Sequence, residues 1–322
     1  MDVQIVCMGE LLIDFVALES GVTVGEASGF EKKAGGAPAN VAVAIKRLSM
    51  DSAFITQVGD DPFGHYLAGV IAEEAVNTDG ITFSKEARTM LAFVSLREDG
   101  ERSFNFYRHP SADMLMTPDT VAYNVIDNSD LFHFGSITLI SEPAKSATLA
   151  AAEYAKENGK LISYDPNLRL ALWDDEQAAH KGMRLGFDYA HIVKISDEEQ
   201  DVVLRAGETV ADLWEQYPQL QLVMLTRGSD GCVMHTRNGD QHEHAGYSVK
   251  SVDTTGAGDT FMAGAVVGIL EQLGDSKDFS TLDYAPILDL ANAGGALATV
   301  GRGAIPSLPT REEVENFIAE QA

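Results

Sequence analysis

The densest chemistry in the chain lies in Asp253-Thr254-Thr255-Gly256-Ala257-Gly258-Asp259, which runs directly into the apolar stretch Phe261-Met262-Ala263-Gly264-Ala265. Gly256, Ala257 and Gly258 put no bulky side chain in the way, and the segment opens a helix. Successive backbone N–H groups at a helix start make a site for phosphate or a developing oxyanion. Asp259 then projects from the first helical turn, beside the anion. A carboxylate there can take the proton of an attacking hydroxyl; it can also do no more than favour the positive helix end. Arg169 follows directly on the end of a strand, where α/β sheets place ligand groups. Its planar fork suits phosphate or sugar oxygens, and a surface ion pair is the plainer alternative. In Lys194-Ile195-Ser196-Asp197-Glu198-Glu199, Ser196 and Glu199 stand at capping-box spacing. Lys194 adds a positive charge able to reach phosphates.

These side chains need a rigid frame. Short apolar, β-branched runs at residues 4–8, 53–58, 131–135, 160–164, 191–195 and 222–226 read as strands covered on both faces. Helical stretches at 38–48, 64–75, 143–158, 175–187, 258–273 and 282–300 fall between or after them. The alternation predicts a doubly wound α/β fold with a mostly parallel sheet, one domain over residues 1–322. One region breaks the rhythm. Residues 89–97 and 102–109 are strand-like runs joined by the turn signal Glu98-Asp99-Gly100-Glu101. With strand-like pieces at 15–18 and 22–32, they predict a small antiparallel sheet, a β lid built from about 15–33 and 88–110. Strand alternation puts Phe104 and Phe106 on one face of it, where they can shield a ligand from water or pack on the core.

The balance of charges narrows the partners. The 322 residues are 45% hydrophobic and 22% charged, ample for a buried core. A net charge of −26 opposes nucleic acid as a partner. An anionic substrate such as ATP would need local compensation from helix starts, a few placed cations and Mg²⁺. Cys7 and Cys232 cannot build a disulfide framework and read as free thiols of a reducing compartment. No signal-peptide core and no bilayer-length apolar run are present, so a cytoplasmic protein without membrane contact is expected. The histidines lack metal-ligand spacing; His242 and His244, one residue apart on a strand face, read as surface side chains. No G-x-G-x-x-G follows the first strand, which argues against a nicotinamide-dependent oxidoreductase.

The Asp253–Asp259 string resembles the C-terminal signature of the ribokinase/fructokinase family of carbohydrate kinases. Ala34-Gly35-Gly36-Ala37-Pro38-Ala39-Asn40 resembles its N-terminal signature, with Asp14 ending Gly9-Glu10-Leu11-Leu12-Ile13-Asp14 ahead of it. The likeness runs from Gly9 to Pro309 and implies a ribokinase-like fold and ATP-dependent phosphorylation of a sugar. By the resemblance, Asp14 binds sugar hydroxyls, and Gly35, Gly36 and Asn40 form the sugar loop. Gly256, Ala257 and Gly258 form the anion hole, and Asp259 is the base. Leu225-Thr226-Arg227-Gly228-Ser229-Asp230-Gly231 is similar to the nucleotide loop, with Thr226, Arg227, Gly228 and Gly231 toward phosphates and ribose. Asn292 matches an asparagine of the nucleotide pocket. The family's Asn-x-x-Glu segment departs here: Glu199 is kept for Mg²⁺, reached through water, while Ser196 replaces the asparagine. A K⁺ site is implied at Asp253 and Thr255 with Ala298, Gly301, Gly303 and Ser307.

Two segments bear on the sugar. Residues 100–114, and Asp165-Pro166-Asn167-Leu168-Arg169 continuing to Trp173, look like bacterial and plant fructokinases. The resemblance implies D-fructose as substrate, phosphorylated at O6. Modified forms occur in 2-keto-3-deoxygluconate kinases and aminoimidazole riboside kinase. In the former an arginine near Arg108 meets the substrate carboxylate, so an acidic sugar stays open. A sugar-sensing binding protein on the same fold is the alternative from another class, opposed by the intact Asp259 loop. An exposed small sheet with apolar faces also allows a homodimer, an arrangement found in the family.

Overall fold

The computed structural model describes residues 3–96, 102–274 and 277–321. In chain order its strands are β1 (Ile5–Met8), β2 (Leu12–Ser20), β3 (Phe30–Gly35), β4 (Ser52–Gly59), β5 (Asn77–Ser84), β6 (Met90–Leu96), β7 (Arg102–Tyr107), β8 (Leu131–Gly135), β9 (Leu161–Asp165), β10 (Ile192–Ser196), β11 (Leu222–Thr226), β12 (Cys232–Thr236) and β13 (Gln241–His244). Nine of them form one sheet in the order β13-β12-β11-β10-β9-β8-β1-β4-β5. Pairing is parallel from β5 across to β11 and antiparallel only at β12 and β13.

Alternation divides each central strand between two cores. Ile5 and Cys7 of β1 pack with the helices Ala37–Arg47, Ala257–Leu273 and Tyr284–Ala298. Val6 and Met8 point the other way, toward Ala144–Glu157 and Glu176–Phe187. That double burial explains why every residue of β1, β4, β8 and β9 is buried and why these strands read as largely apolar runs. The helix Ala257–Leu273 lies very close to Tyr284–Ala298. A Cβ on Gly264 would stand 2.8 Å from the Cα of Ala291, and one on Gly268 would stand 3.3 Å from Ile287. The glycines thus set the distance that seats the start of the long helix over the sheet.

The small sheet has the order β3-β2-β6-β7. Its outer pairs β2·β3 and β6·β7 are antiparallel, and β2 joins β6 by a parallel pairing, Leu12 beside Met90. The strand expected at 22–32 begins only at Phe30, because Glu26 and Ala27 N–H turn back to the Thr23 carbonyl. The turn expected at Glu98–Glu101 lies outside the described residues. β5, β12 and β13 are additions to the expected strands. β5 carries Asn77, Asp79 and Gly80, poor strand formers held in place by their neighbour β4.

Candidate active site

Parallel pairing brings the ends of β9, β10 and β11 to one edge of the sheet. Asp165, Lys194–Ser196 and Thr226 therefore gather beside the starts of the helices Ala37–Arg47 and Ala257–Leu273. Gly256 caps the second helix with φ +85°, a left-handed backbone that glycine adopts without penalty. A Cβ on Gly258 would sit 3.3 Å from the Lys194 Nζ, so the glycine lets that ammonium lie against the helix start.

Asp259, the third residue of this helix, is buried. Its Oδ2 accepts from Asn40 Nδ2 at 2.8 Å and its Oδ1 from Asn167 Nδ2 at 3.2 Å. Burial raises its carboxyl above the ordinary range; the Asn40 bond, Lys194, Arg169 and Asn167 hold the rise down. Lys194 pairs with Asp165 at 3.1 Å, both side chains being buried. Burial pushes Asp165 up to about 7, against the pull of Lys194, and the Glu199 and Asp259 charges add to the rise. Desolvation works against the Lys194 ammonium, but Asp165, Glu199 and Asp259 outweigh it and hold its pKa above the usual value. Lys194 thus faces three carboxyl groups.

Gly35 and Gly36 shape the opposite wall. A Cβ on Gly36, at φ +123°, would come 2.3 Å from the Glu10 carbonyl oxygen. One on Gly35 would meet Asp14 Oδ2 at 2.3 Å, so the Asp14 carboxylate lies across that glycine. Glu10 is buried, and its Oε1 accepts from the Ala37 N–H at 3.0 Å. These groups, with Asn40, Arg169, Glu199 and Asp259, line a cavity of about 490 Å³. Phe104 and Phe106 form its roof, stacked 5.7 Å apart, and Arg169 lies over the Phe104 ring at 5.9 Å. Glu199 holds Leu168 N–H at 2.5 Å and Ser196 N–H at 2.9 Å, so the capping box also faces the cavity.

A second cavity of about 290 Å³ adjoins the first, Thr254 and Gly258 lining both. Thr226, Gly228, Gly231, Asn292 and Gly295 surround it. Asn292 Nδ2 donates to the Leu288 carbonyl at 2.7 Å and to Cys232 Sγ at 3.3 Å. Gly231 admits no side chain: a Cβ would stand 1.9 Å from the His244 carbonyl oxygen. Behind the anion loop, Asp253 Oδ1 accepts from Thr255 N–H at 2.9 Å and Oγ1 at 2.6 Å. Its Oδ2 accepts from Gly303 N–H at 2.9 Å. Beside them Ser307 Oγ is buried without a hydrogen-bond partner, and a Cβ on Gly301 would meet it at 2.5 Å. Ala298 ends the adjacent helix.

Two expected contacts fall elsewhere. Arg108 does not line the cavity: its Nε donates to Asp113 Oδ2 at 3.1 Å and its Nη2 to the Ile137 carbonyl at 3.1 Å, both charges being buried. That pairing leaves no fork for a substrate carboxylate. Arg227 turns away from the second cavity to Glu243, 2.6 Å from its Nη2, and to the Asp230 carbonyl. Sequence reasoning in turn missed Glu10 and Asn167. Glu10 had a signal, a lone acid inside an apolar run. Asn167 adopts φ +46°, a conformation asparagine tolerates better than most residues.

The pfkB family carbohydrate kinase pattern matches residues 2–311 of the chain. The chain is 47% identical over 318 residues to probable fructokinase-4 of Arabidopsis thaliana, covering 98% of this chain and 96% of that one. The fold matches that of fructokinase from Xylella fastidiosa with bound ATP at a TM-score of 0.88 and 33% identity, over 100% of this chain and 99% of the other. A doubly substituted fructokinase from Vibrio cholerae O395, in a fructose-, ADP- and potassium-bound form, matches at a TM-score of 0.84 and 33% identity, over 98% of each chain. The chain belongs to the pfkB family of carbohydrate kinases.

Proposed function

We propose that the chain transfers the γ-phosphoryl group of ATP to O6 of D-fructose. The observation that carries this reading is the Asp259 carboxylate, held between Asn40 and Asn167 where the two cavities meet at Gly258. Fructose binds in the larger cavity against Asp14, Gly35, Gly36 and Asn40, and ATP binds along Thr226, Gly228, Gly231 and Asn292. Asp259 takes the O6 proton as the new O6–P bond forms and the bridging P–O bond to ADP breaks. The Gly256–Gly258 N–H groups and Lys194 face the charge on the moving phosphoryl group. Mg²⁺, when bound, would neutralise charge on the ATP phosphates, with Glu199 ordering its water shell. The orphaned Ser307 Oγ fits a cation held with Asp253, Thr255 and the Ala298, Gly301 and Gly303 carbonyls, and K⁺ there would add fixed positive charge behind the anion loop.

Arg108 is consumed by Asp113 and Ile137, which favours a neutral sugar over a keto-deoxy acid. Relatives named as fructokinases support the same choice. Leu18, 67% exposed, and Tyr107, 60% exposed, offer apolar surface on the small sheet for a homodimer. The setting is cytoplasmic, where ATP coexists with free thiols such as Cys7 and Cys232. Initial rates with MgATP and a panel of D-fructose, 2-keto-3-deoxygluconate and aminoimidazole riboside test the reading. The highest kcat/KM is expected for fructose. A higher value for either competitor overturns the fructose assignment, and tight sugar binding without turnover overturns the kinase.

A further inference from the structure

At the far end of the large sheet from Asp259, a separate cavity of about 420 Å³ opens beside the N-terminal ends of β9, β10 and β11. Lys156, Lys160, Arg237 and Lys277 converge on it. They are four of only 23 lysines and arginines in a chain of net charge −26. Among the described lining residues Asp278 is the one carboxylate, and its Oδ1 accepts from Ser280 N–H and Oγ.

The bonds of these cations differ from those of other basic side chains. Arg47, Arg184 and Arg311 pair with Glu74, Glu208 and Glu271. In the cavity Lys160, Arg237 and Lys277 donate to backbone carbonyls instead, and Lys156 lies over the Tyr189 ring. Lys160 Nζ donates to the Asp127 and Ser129 carbonyls, each at 2.7 Å. Arg237 caps the Leu220 carbonyl at 3.1 Å and those of Tyr217 and Trp214 at 3.3 Å. Lys277 caps Gly159. Carbonyls satisfy N–H groups but bring no net charge, and the nearby carboxylates, Asp188 toward Lys156 and Asp240 and Asp278 toward Tyr284, offset only part of four converging cations. His191, in the same wall, reports that potential: burial, then Lys277 and Lys156, push its imidazole down to about 4. Phe279 and Tyr284 add an apolar side.

We propose that this cavity is a second anion site, taking a small molecule that carries a phosphate ester. The converging ammonium and guanidinium groups suit phosphate oxygens, and the Phe279–Tyr284 side accepts the organic remainder. The length of β9, β10 and β11 separates it from Asp165, Ser196 and Thr226, so it is not part of the catalytic cavity.

Calorimetric titration of the whole chain with fructose 6-phosphate, AMP and inorganic phosphate tests this. At least one probe should show two sites per chain. Lys156→Gln/Lys277→Gln should weaken one of the two by about tenfold or more, leaving the other site, the melting temperature and sugar-kinase turnover as before. Which probe fills the second site distinguishes a sugar phosphate from a nucleotide or free phosphate. Should the double variant fold poorly, Lys156→Glu alone, an exposed charge reversal lying over the Tyr189 ring, should weaken the same site. One site per chain for all three probes overturns the proposal, as does a second site indifferent to both variants.

Discussion

Asn40 Nδ2 donates to Asp259 Oδ2 at 2.8 Å, a bond between residues 219 positions apart in the chain. It ties the glycine loop before one helix to the anion loop before another. The bond also opposes the effect of burial, which raises the Asp259 carboxyl above the ordinary range. Asn40 Oδ1 meanwhile is buried with no hydrogen-bond partner among the described residues. Under the proposed function, a hydroxyl of the bound sugar would supply a donor, next to the carboxylate proposed as the base.

Asp259→Asn keeps the shape but cannot accept the proton, and its single amide oxygen can accept from only one of the two neighbouring amides. Turnover should fall by about 10²–10⁴-fold, the usual share of general-base catalysis. Sugar affinity should change little, because Asp14, Gly36 and Asn40 stay in place. Rapid-quench phosphorylation together with calorimetric sugar binding separates the two quantities; near-normal turnover would remove Asp259 from the base role.

Asn167 steadies the other carboxylate oxygen from a left-handed backbone at φ +46°. Two substitutions part the bond from the backbone. Asn167→Gly keeps the conformation and loses the side-chain donor; Asn167→Ala loses the donor and strains the turn by about 1 kcal/mol. Both should lower kcat by a similar factor, about tenfold, while the Ala variant alone also lowers the melting temperature. The pH–rate profile should move to higher pH in both, since a donor that lowers the Asp259 pKa is gone. Unchanged kcat and profile in the Gly variant would mean that Asn167 serves the turn only.

How far the sequence disclosed this site depends on the kind of feature. The inner strands were legible because burial on both faces leaves uninterrupted apolar runs, and they fall within a residue of their expected ends. Asn40 and Asp259 were legible because they stand in strings of small residues that cannot serve packing alone, and Asp14 and Lys194 because each sets a charge at the end of or inside an apolar run. Arg108 and Arg227 were misplaced because an arginine carries the same fork whether it faces a ligand or an internal carboxylate. Only the fold reveals that Asp113 and Glu243 stand within reach. Asn167 and Glu10 were missed for a related reason. Each meets a partner distant in sequence, Asp259 for Asn167 and the Ala37 N–H for Glu10, and nothing local to either residue specifies that partner.

Lys194 and Asp165 offer a sharper separation of structure from chemistry. Lys194→Met leaves Asp165 buried without its cation, and removing one member of such a pair costs about 3–5 kcal/mol. Adding Asp165→Asn removes the stranded carboxylate and should restore most of the melting temperature. It should not restore kcat, because the ammonium beside Gly258 is still absent. Urea melts and initial rates on the single and double variants test both halves. Recovery of activity along with stability would show that Lys194 acts only as the partner of Asp165.

Glu10 makes the stability of the fold depend on pH. Burial, above all, pushes its carboxyl from 4.5 up to about 7; the Asp113 charge adds to the rise, and the backbone bonds and Arg108 oppose it. Between those two values the folded chain holds a proton that the unfolded chain has released. The contribution is therefore complete below about pH 4.5 and lost as pH rises through about 7, at most about 3 kcal/mol. A glutamine in place of Glu10 cannot ionise, yet its amide oxygen can still accept from Ala37 N–H. The melting temperature of Glu10→Gln relative to the parent should thus climb between pH 5 and pH 8. Asp165, also raised to about 7, contributes the same slope to both proteins and cancels in the difference. A difference that stays flat across this range would mean that Glu10 ionises in the folded chain at its ordinary value.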